Sequence, residues 1–203
     1  MTTAMKRAAT RWVVKGSSPR DPSAPRILIE QHALERMINV SERTLDSEVG
    51  GFFLGTYWRA SPAGPFHVSI SQVIPARHTI ATPSSLNFTP ETWVSFSVAR
   101  EAYPNLYVVG WFHTHPRMDV FLSSYDVFIH TNFYVEPWQV AAVVEPETCR
   151  LGFFTWRHRR FEHANYTGFL ELGTEPLRKW SNLRAAGRVR VDYCSPLTGE
   201  LRS

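Results

Sequence analysis

His113 and His115 stand two residues apart in Gly110-Trp111-Phe112-His113-Thr114-His115-Pro116, and Asp126 follows in Phe121-Leu122-Ser123-Ser124-Tyr125-Asp126. Two imidazoles and one carboxylate are a common three-ligand set for catalytic zinc, leaving the fourth position for water. Residues 107–115 are rich in β-branched and aromatic residues on both parities, the pattern of a strand buried on both faces. Side chains two apart on a strand share a face, so His113 and His115 emerge together. Pro116, with no N–H to donate, ends the ladder. Ser123 stands where an N-cap is expected and puts Asp126 in the first turn of the helix that follows. A strand end and a helix start can therefore converge on one point. Taken singly, each of these residues has an ordinary structural role: a hydrogen-bonded core histidine, or an acidic residue complementing a helix dipole. Taken together, they leave several imidazole nitrogens needing partners in a desolvated place, and a metal satisfies them at once.

His113-Thr114-His115-Pro116, six residues, then Ser123-Ser124-Tyr125-Asp126 resembles the His-x-His-Pro-x6-Ser-x-x-Asp signature of the JAMM (MPN-plus) metalloproteases. Upstream, Glu48-Val49-Gly50-Gly51-Phe52-Phe53-Leu54-Gly55 resembles that family's glutamate before a glycine-containing strand. All five positions are kept. The resemblance implies that His113, His115 and Asp126 ligate Zn2+, that Glu48 is the base that moves the proton of the catalytic water to the leaving amine, and that Ser123 donates to the oxyanion. Without it, Glu48 would read as an ordinary solvated residue before a strand, and Ser123 as a plain N-cap.

The implied fold is α+β, a JAMM/MPN domain with a central mixed β-sheet or half-barrel flanked by helices, cytidine-deaminase-like. The implied activity is that of a compact, prokaryotic-type isopeptidase or peptidase. It would cleave at the C-terminal tail of ubiquitin or a ubiquitin-like modifier and release it from a target lysine or a precursor extension. Two alternatives are the processing of a sulfur-carrier protein of ubiquitin fold and a non-catalytic MPN scaffold. Scaffold relatives have lost ligand positions that this chain keeps. The partners implied are the ubiquitin-like substrate and its conjugation-system proteins.

Around the site, a helix is expected over residues 30–46, delivering Glu48 to a strand at 52–58. A turn at 61–65 leads to a strand at 66–74. Residues 76–88 read as a polar loop, and Thr89-Pro90-Glu91 as a helix start, with that helix running to about Tyr103. Strands follow at 107–115, 139–144 and 151–156. Three segments are expected: a flexible basic stretch at 1–25, in which Trp12-Val13-Val14 could add an edge strand, the catalytic domain at 26–173, and a basic extension at 174–203. Substrate choice is expected to lie in 76–88 and 132–138, which flank the catalytic elements. Of the aromatic residues there and nearby (Phe88, Phe121, Phe133, Tyr134, Trp138), Phe88 and Phe121 read as packing.

The chain of 203 residues, 43% hydrophobic and 13% aromatic, can fill one core. No apolar run reaches the ~18–20 residues that a membrane helix needs, and Met5-Lys6-Arg7 precedes no signal-peptide core, so a cytoplasmic location is expected. The net charge of +4 comes from basic residues near both ends, with no stacking platform or reading helix among them, which argues against nucleic acid. Cys149 and Cys194 are too few for a disulfide framework and too far apart for a zinc finger, and read as free thiols.

Overall fold

The computed structural model describes residues 5–16, 22–157, 160–161 and 166–193. Along them run β1 (Met5–Val14), β2 (Arg26–Glu30), α1 (Gln31–Ser41), β3 (Gly50–Arg59), β4 (Phe66–Pro75), β5 (Thr79–Thr82), β6 (Ser85–Phe88) and α2 (Pro90–Arg100). Then come β7 (Tyr107–Thr114), α3 (Ser124–Phe133), β8 (Val140–Glu145), β9 (Arg150–Arg157), β10 (Arg160–Phe161), β11 (Leu170–Leu172) and β12 (Leu183–Tyr193). Ten strands form one sheet in the order β10-β9-β8-β7-β3-β4-β2-β11-β1-β12, and β5 and β6 form a separate hairpin. Parallel pairing joins β7 to β8 and β2 to both β4 and β11, while the remaining neighbours are antiparallel. The sheet is therefore mixed and the class α+β, as expected.

Burial on both faces of β7 is what the residue pattern predicts. Phe112 faces a cluster with Phe53, Phe153, Leu34 and Met37, the last two from α1, while Trp111 faces another with Ile129 of α3, Tyr134, Val143 and Phe154. Each helix thus covers one side of the strand that carries the histidines. α2 starts where the sequence indicates: Thr89 caps it, accepting the Thr92 N–H, and Pro90 occupies the first turn. α1 ends at Ser41, short of the expected Asp46. The Ser41 hydroxyl bonds back to the Met37 carbonyl, and residues 42–47 leave the helix, with the Asp46 N–H held by the Thr44 hydroxyl.

Two expectations need correction. Residues 79–88 are not a loop: Thr79–Thr82 and Ser85–Phe88 pair as an antiparallel hairpin around Pro83-Ser84. The polar composition concealed a weak alternation. Residues 5–14 and 183–193 also join the sheet. β1 pairs with β12 over most of its length and with β11 over three residues, so neither residues 5–14 nor residues 183–193 stand apart from the central fold. Trp12 is buried at 4% exposure and stacks on Phe169; its indole N–H donates to the buried Glu171 carboxylate at 2.8 Å, and Leu177 N–H completes that carboxylate at 2.7 Å. Several of the basic residues expected to be merely solvated make bonds: Arg7 to Glu30, Arg178 to Glu42, and Arg188 to the carbonyls of Gly173 and Thr174. The expectations for residues 1–4, 17–21 and 194–203, Cys194 among them, lie outside the described residues. Cys149 is a free, half-buried thiol. No helix of the described residues is long and apolar enough to cross a membrane.

If β1 is integral, Trp12→Ala should lower the unfolding free energy by about 3–5 kcal/mol, the range for deleting a buried large aromatic. Urea unfolding measures this; a loss under about 0.5 kcal/mol, the ordinary surface range, would contradict the packing described.

Candidate metal centre

Four chain segments meet at one end of β7, and backbone pairing sets their positions. Gly50 of β3 lies opposite His113 of β7. A Cβ at Gly50 would come within 2.4 Å of the Phe112 carbonyl oxygen and 2.6 Å of Leu86, so only glycine allows this approach. Just before Gly50, the chain is fastened through Thr114: its N–H donates to the Val49 carbonyl at 2.8 Å, and its hydroxyl accepts the Val49 N–H at 2.9 Å. Glu48 itself donates its N–H to the Thr82 carbonyl of the hairpin at 2.9 Å, and His115 donates its N–H to Val144 of β8 at 2.9 Å. Thr114, between the two histidines, thus ties the Glu48 segment to the histidine strand. The sequence reading had given it no role.

The five expected residues converge. His113 Nε2 and His115 Nε2 are 3.0 Å apart, and Asp126 Oδ1 lies 3.4 Å from His113 Nε2 and Oδ2 lies 3.8 Å from His115 Nε2. Glu48 Oε1 is 3.7 Å from His115 Nε2. All four residues are buried, none more than 6% exposed. Ser123 caps α3 and accepts the Asp126 N–H, while its own N–H and hydroxyl both donate to Asp126 Oδ2, at 2.7 and 2.6 Å. This reciprocal capping box locks the carboxylate against the imidazoles.

The donor set fits a small divalent cation. Among the described residues, one group of three or more such side chains could hold a metal ion: His113, His115 and Asp126, their ligand atoms all within 4.8 Å of one another. Tetrahedral zinc, with ligand distances of about 2.0–2.2 Å, places its ligand atoms about 3.3–3.6 Å apart; the imidazole pair at 3.0 Å and His113 Nε2 with Asp126 Oδ1 at 3.4 Å lie near that spacing. His115 Nδ1 faces the Asp119 carbonyl at 3.1 Å, which places its proton on Nδ1 and leaves the Nε2 lone pair free for a metal. His113 stacks on the Trp111 indole, ring centroids 4.9 Å apart, and its buried Nδ1 finds no partner among the described residues.

Charge is arranged unequally. Burial, and then the charge of Asp126, pushes the Glu48 carboxyl up to about 8. Burial would raise Asp126 as well, but His113, His115 and Ser123 outweigh it and hold that carboxyl well below the usual range. Burial lowers the His113 imidazole. The site thus combines an anionic carboxylate, a neutral imidazole as a metal ligand requires, and a second carboxylate with an unusually high proton affinity.

Of the aromatic residues considered for recognition, Phe88 packs against Phe52, Trp93 and Trp111, Tyr134 is buried, and Trp138 stacks on Tyr57. Phe121 instead stands at the rim, 37% exposed, with its ring 4.7 Å from that of His115, and Phe133 is exposed.

A sequence profile of the family described as JAB1/Mov34/MPN/PAD-1 ubiquitin protease matches residues 22–136. The solution structure of protein DSY2949 from Desulfitobacterium hafniense is similar over 68% of this chain and 88% of that one, at 17% identity and a TM-score of 0.49. None of the curated proteins compared with the chain matches it in sequence.

Behind His113, the Trp111 indole donates to Nδ1 of buried His130 at 3.2 Å. Burial lowers the His130 imidazole to about 3, against about 6.5 in an unfolded chain. The unfolded state therefore takes up a proton that the native state refuses. Stability from this group is whole above about pH 6.5 and falls as pH drops towards about 3. His130→Gln keeps an acceptor for the indole, and its stability should fall about 2 kcal/mol less than that of the wild type between about pH 7 and pH 5. Urea unfolding at the two pH values reads the difference; equal acid sensitivity would contradict the assignment.

Proposed function

The chain belongs to the JAB1/Mov34/MPN/PAD-1 ubiquitin protease family, and from that premise we propose that it is an active zinc peptidase, hydrolysing the amide bond that follows the C-terminal tail of a ubiquitin-like protein. The observation that carries this reading is the convergence of His113, His115 and Asp126 in one buried cluster, with Glu48 beside it. Non-catalytic members that lack ligand positions would have no reason to bury this set.

His113, His115 and Asp126 would hold the zinc, which when bound supplies Lewis acidity, activating water as a nucleophile and polarising the scissile carbonyl. Glu48 accepts the proton that the attacking water loses and delivers it to the leaving nitrogen. The carbonyl carbon keeps the water's oxygen, the C–N bond breaks, and the amine departs with the proton. Burial and Asp126 raise the proton affinity of Glu48, and a cation bound beside it would bring that affinity back towards the neutral range in which a carboxylate both accepts and releases a proton. The Ser123 hydroxyl donates a hydrogen bond to Asp126 Oδ2. Turning that hydroxyl towards the carbonyl oxygen would supply the oxyanion donor, while the Ser123 N–H continues to hold the carboxylate.

The hairpin of β5 and β6 supports the choice of an extended substrate. Among the described residues it pairs with no strand of the main sheet, yet it meets Glu48 directly through Thr82. A substrate tail would add to it as a further strand beside the metal centre, and Phe121 at the rim offers an apolar surface next to His115.

Glu48→Gln should retain stoichiometric zinc by elemental analysis and cleave a ubiquitin-like fusion about 10²–10⁴-fold more slowly, the usual loss for a general base. Asp126→Ala and His115→Ala should lose metal and activity together. Wild-type cleavage rates in Glu48→Gln, or zinc lost from that variant, would overturn the assigned role.

A further inference from the structure

His115 depends for its orientation on a loop that is clamped from outside the cluster. After His115 the chain makes a tight turn: Met118 N–H donates to the His115 carbonyl at 3.2 Å, and Arg117 sits at φ 59°. That left-handed conformation is costly for a residue with a Cβ and persists only where the surroundings hold it. The turn brings the Asp119 carbonyl back to His115 Nδ1 at 3.1 Å.

What holds the turn is the last cross-strand pair of β8 and β9, Glu145 opposite Arg150. Glu145 is 1% exposed. Its carboxylate accepts the backbone N–H of Arg117 at 3.2 Å, of Glu147 at 3.0 Å and of Thr148 at 2.8 Å, together with the Thr148 hydroxyl. A buried carboxylate satisfied by backbone donors is a rigid anchor, because moving any of them strands a charge. At the other end of the loop the Asp119 carboxylate accepts the Val120 N–H at 2.6 Å and pairs with Arg150 Nη2 at 2.6 Å. None of these groups is a ligand in the cluster, yet both ends of the loop that presents the Asp119 carbonyl are tied to this one pair.

We propose that Glu145 and Arg150 are positioning residues for the metal centre, clamping residues 116–120 so that the Asp119 carbonyl holds His115 in the tautomer whose Nε2 is free to bind zinc. Its relevance to catalysis rests on the metal-site reading above; the tautomer claim does not. Glu145 carries most of the effect, because the Arg150–Asp119 pair is partly exposed and such pairs are weak.

The test is two-bond ¹H–¹⁵N NMR of the histidines in the metal-free, ¹⁵N-labelled protein, with zinc affinity measured separately by chelator competition. Wild-type His115 should be a single Nδ1–H tautomer. In Glu145→Gln one of the two acceptor oxygens becomes an NH2 group that meets backbone N–H donors, so the loop should loosen, the Nε2–H form should appear, and zinc should bind about 10–100-fold more weakly, as for other outer-shell changes. Arg150→Met, at a partly exposed position that need not disturb folding, should shift both readouts in the same direction by a smaller amount. A merely structural role would lower the melting temperature and leave the tautomer unchanged. An unchanged tautomer and zinc affinity in either folded variant would overturn the proposal. A tautomer shift in a protein whose wild type binds no zinc would uphold the clamp and sink the metal reading instead.

Discussion

Where Gly50 meets His113, the backbones of β3 and β7 come together so closely that a single Cβ would collide with the Phe112 carbonyl. This contact sets the register of the two strands, and the register decides where Glu48 lies. A slip of one residue would turn every side chain of β7 to the opposite face, moving the histidines away from Glu48 and Asp126. The surrounding structure defends that register. Phe112 and Trp111 bury themselves on opposite faces of β7, and Thr114 bonds Val49 through both its N–H and its hydroxyl. The hydrophobic core and the metal centre therefore impose the same constraint on the same strand.

The cluster's polar groups are held by partners in successive layers, each formed from a different part of the chain. Asp126 is fixed by the cap of its own helix, Glu48 by the hairpin and by Thr114, and His115 by a carbonyl whose loop is tied to the end of β8. This accounts for how a buried set of two imidazoles and two carboxylates can persist in the fold. Unpaired, such groups would be expensive to bury. Asp126 and His115 have hydrogen-bonded partners, Glu48 is held through its backbone and His113 by stacking on Trp111, so that their free lone pairs face one point, the preorganisation a metal and its substrate require.

How much of this was legible in the sequence depends on the range of the interaction. The two histidines and Asp126 could be read from spacing, because a strand period and a helix cap act over a few residues. Glu48 could be assigned only by family resemblance, since its partner strand lies some sixty residues away and nothing local distinguishes it from a solvated glutamate. Glu145 and the Asp119 carbonyl gave no signal: one resembles any acidic residue at a strand end, and the other is backbone. The short strands of the β5–β6 hairpin read as loop because their polar composition masks a weak apolar alternation. The terminal strands were hidden by their charge, although Trp12 and Ala9 are buried and Arg7 pairs with Glu30. α1 was overextended because Leu45 continued a helical spacing that the backbone abandons after Ser41.

X-ray absorption at the zinc edge of the purified, zinc-loaded protein tests the central claim most directly, because it reports the elements that surround the ion and their distances. The account predicts two imidazole nitrogens with oxygen donors at about 2.0–2.2 Å and no sulfur. A sulfur shell at about 2.3 Å, or no imidazole scattering at all, would place the metal elsewhere and contradict it.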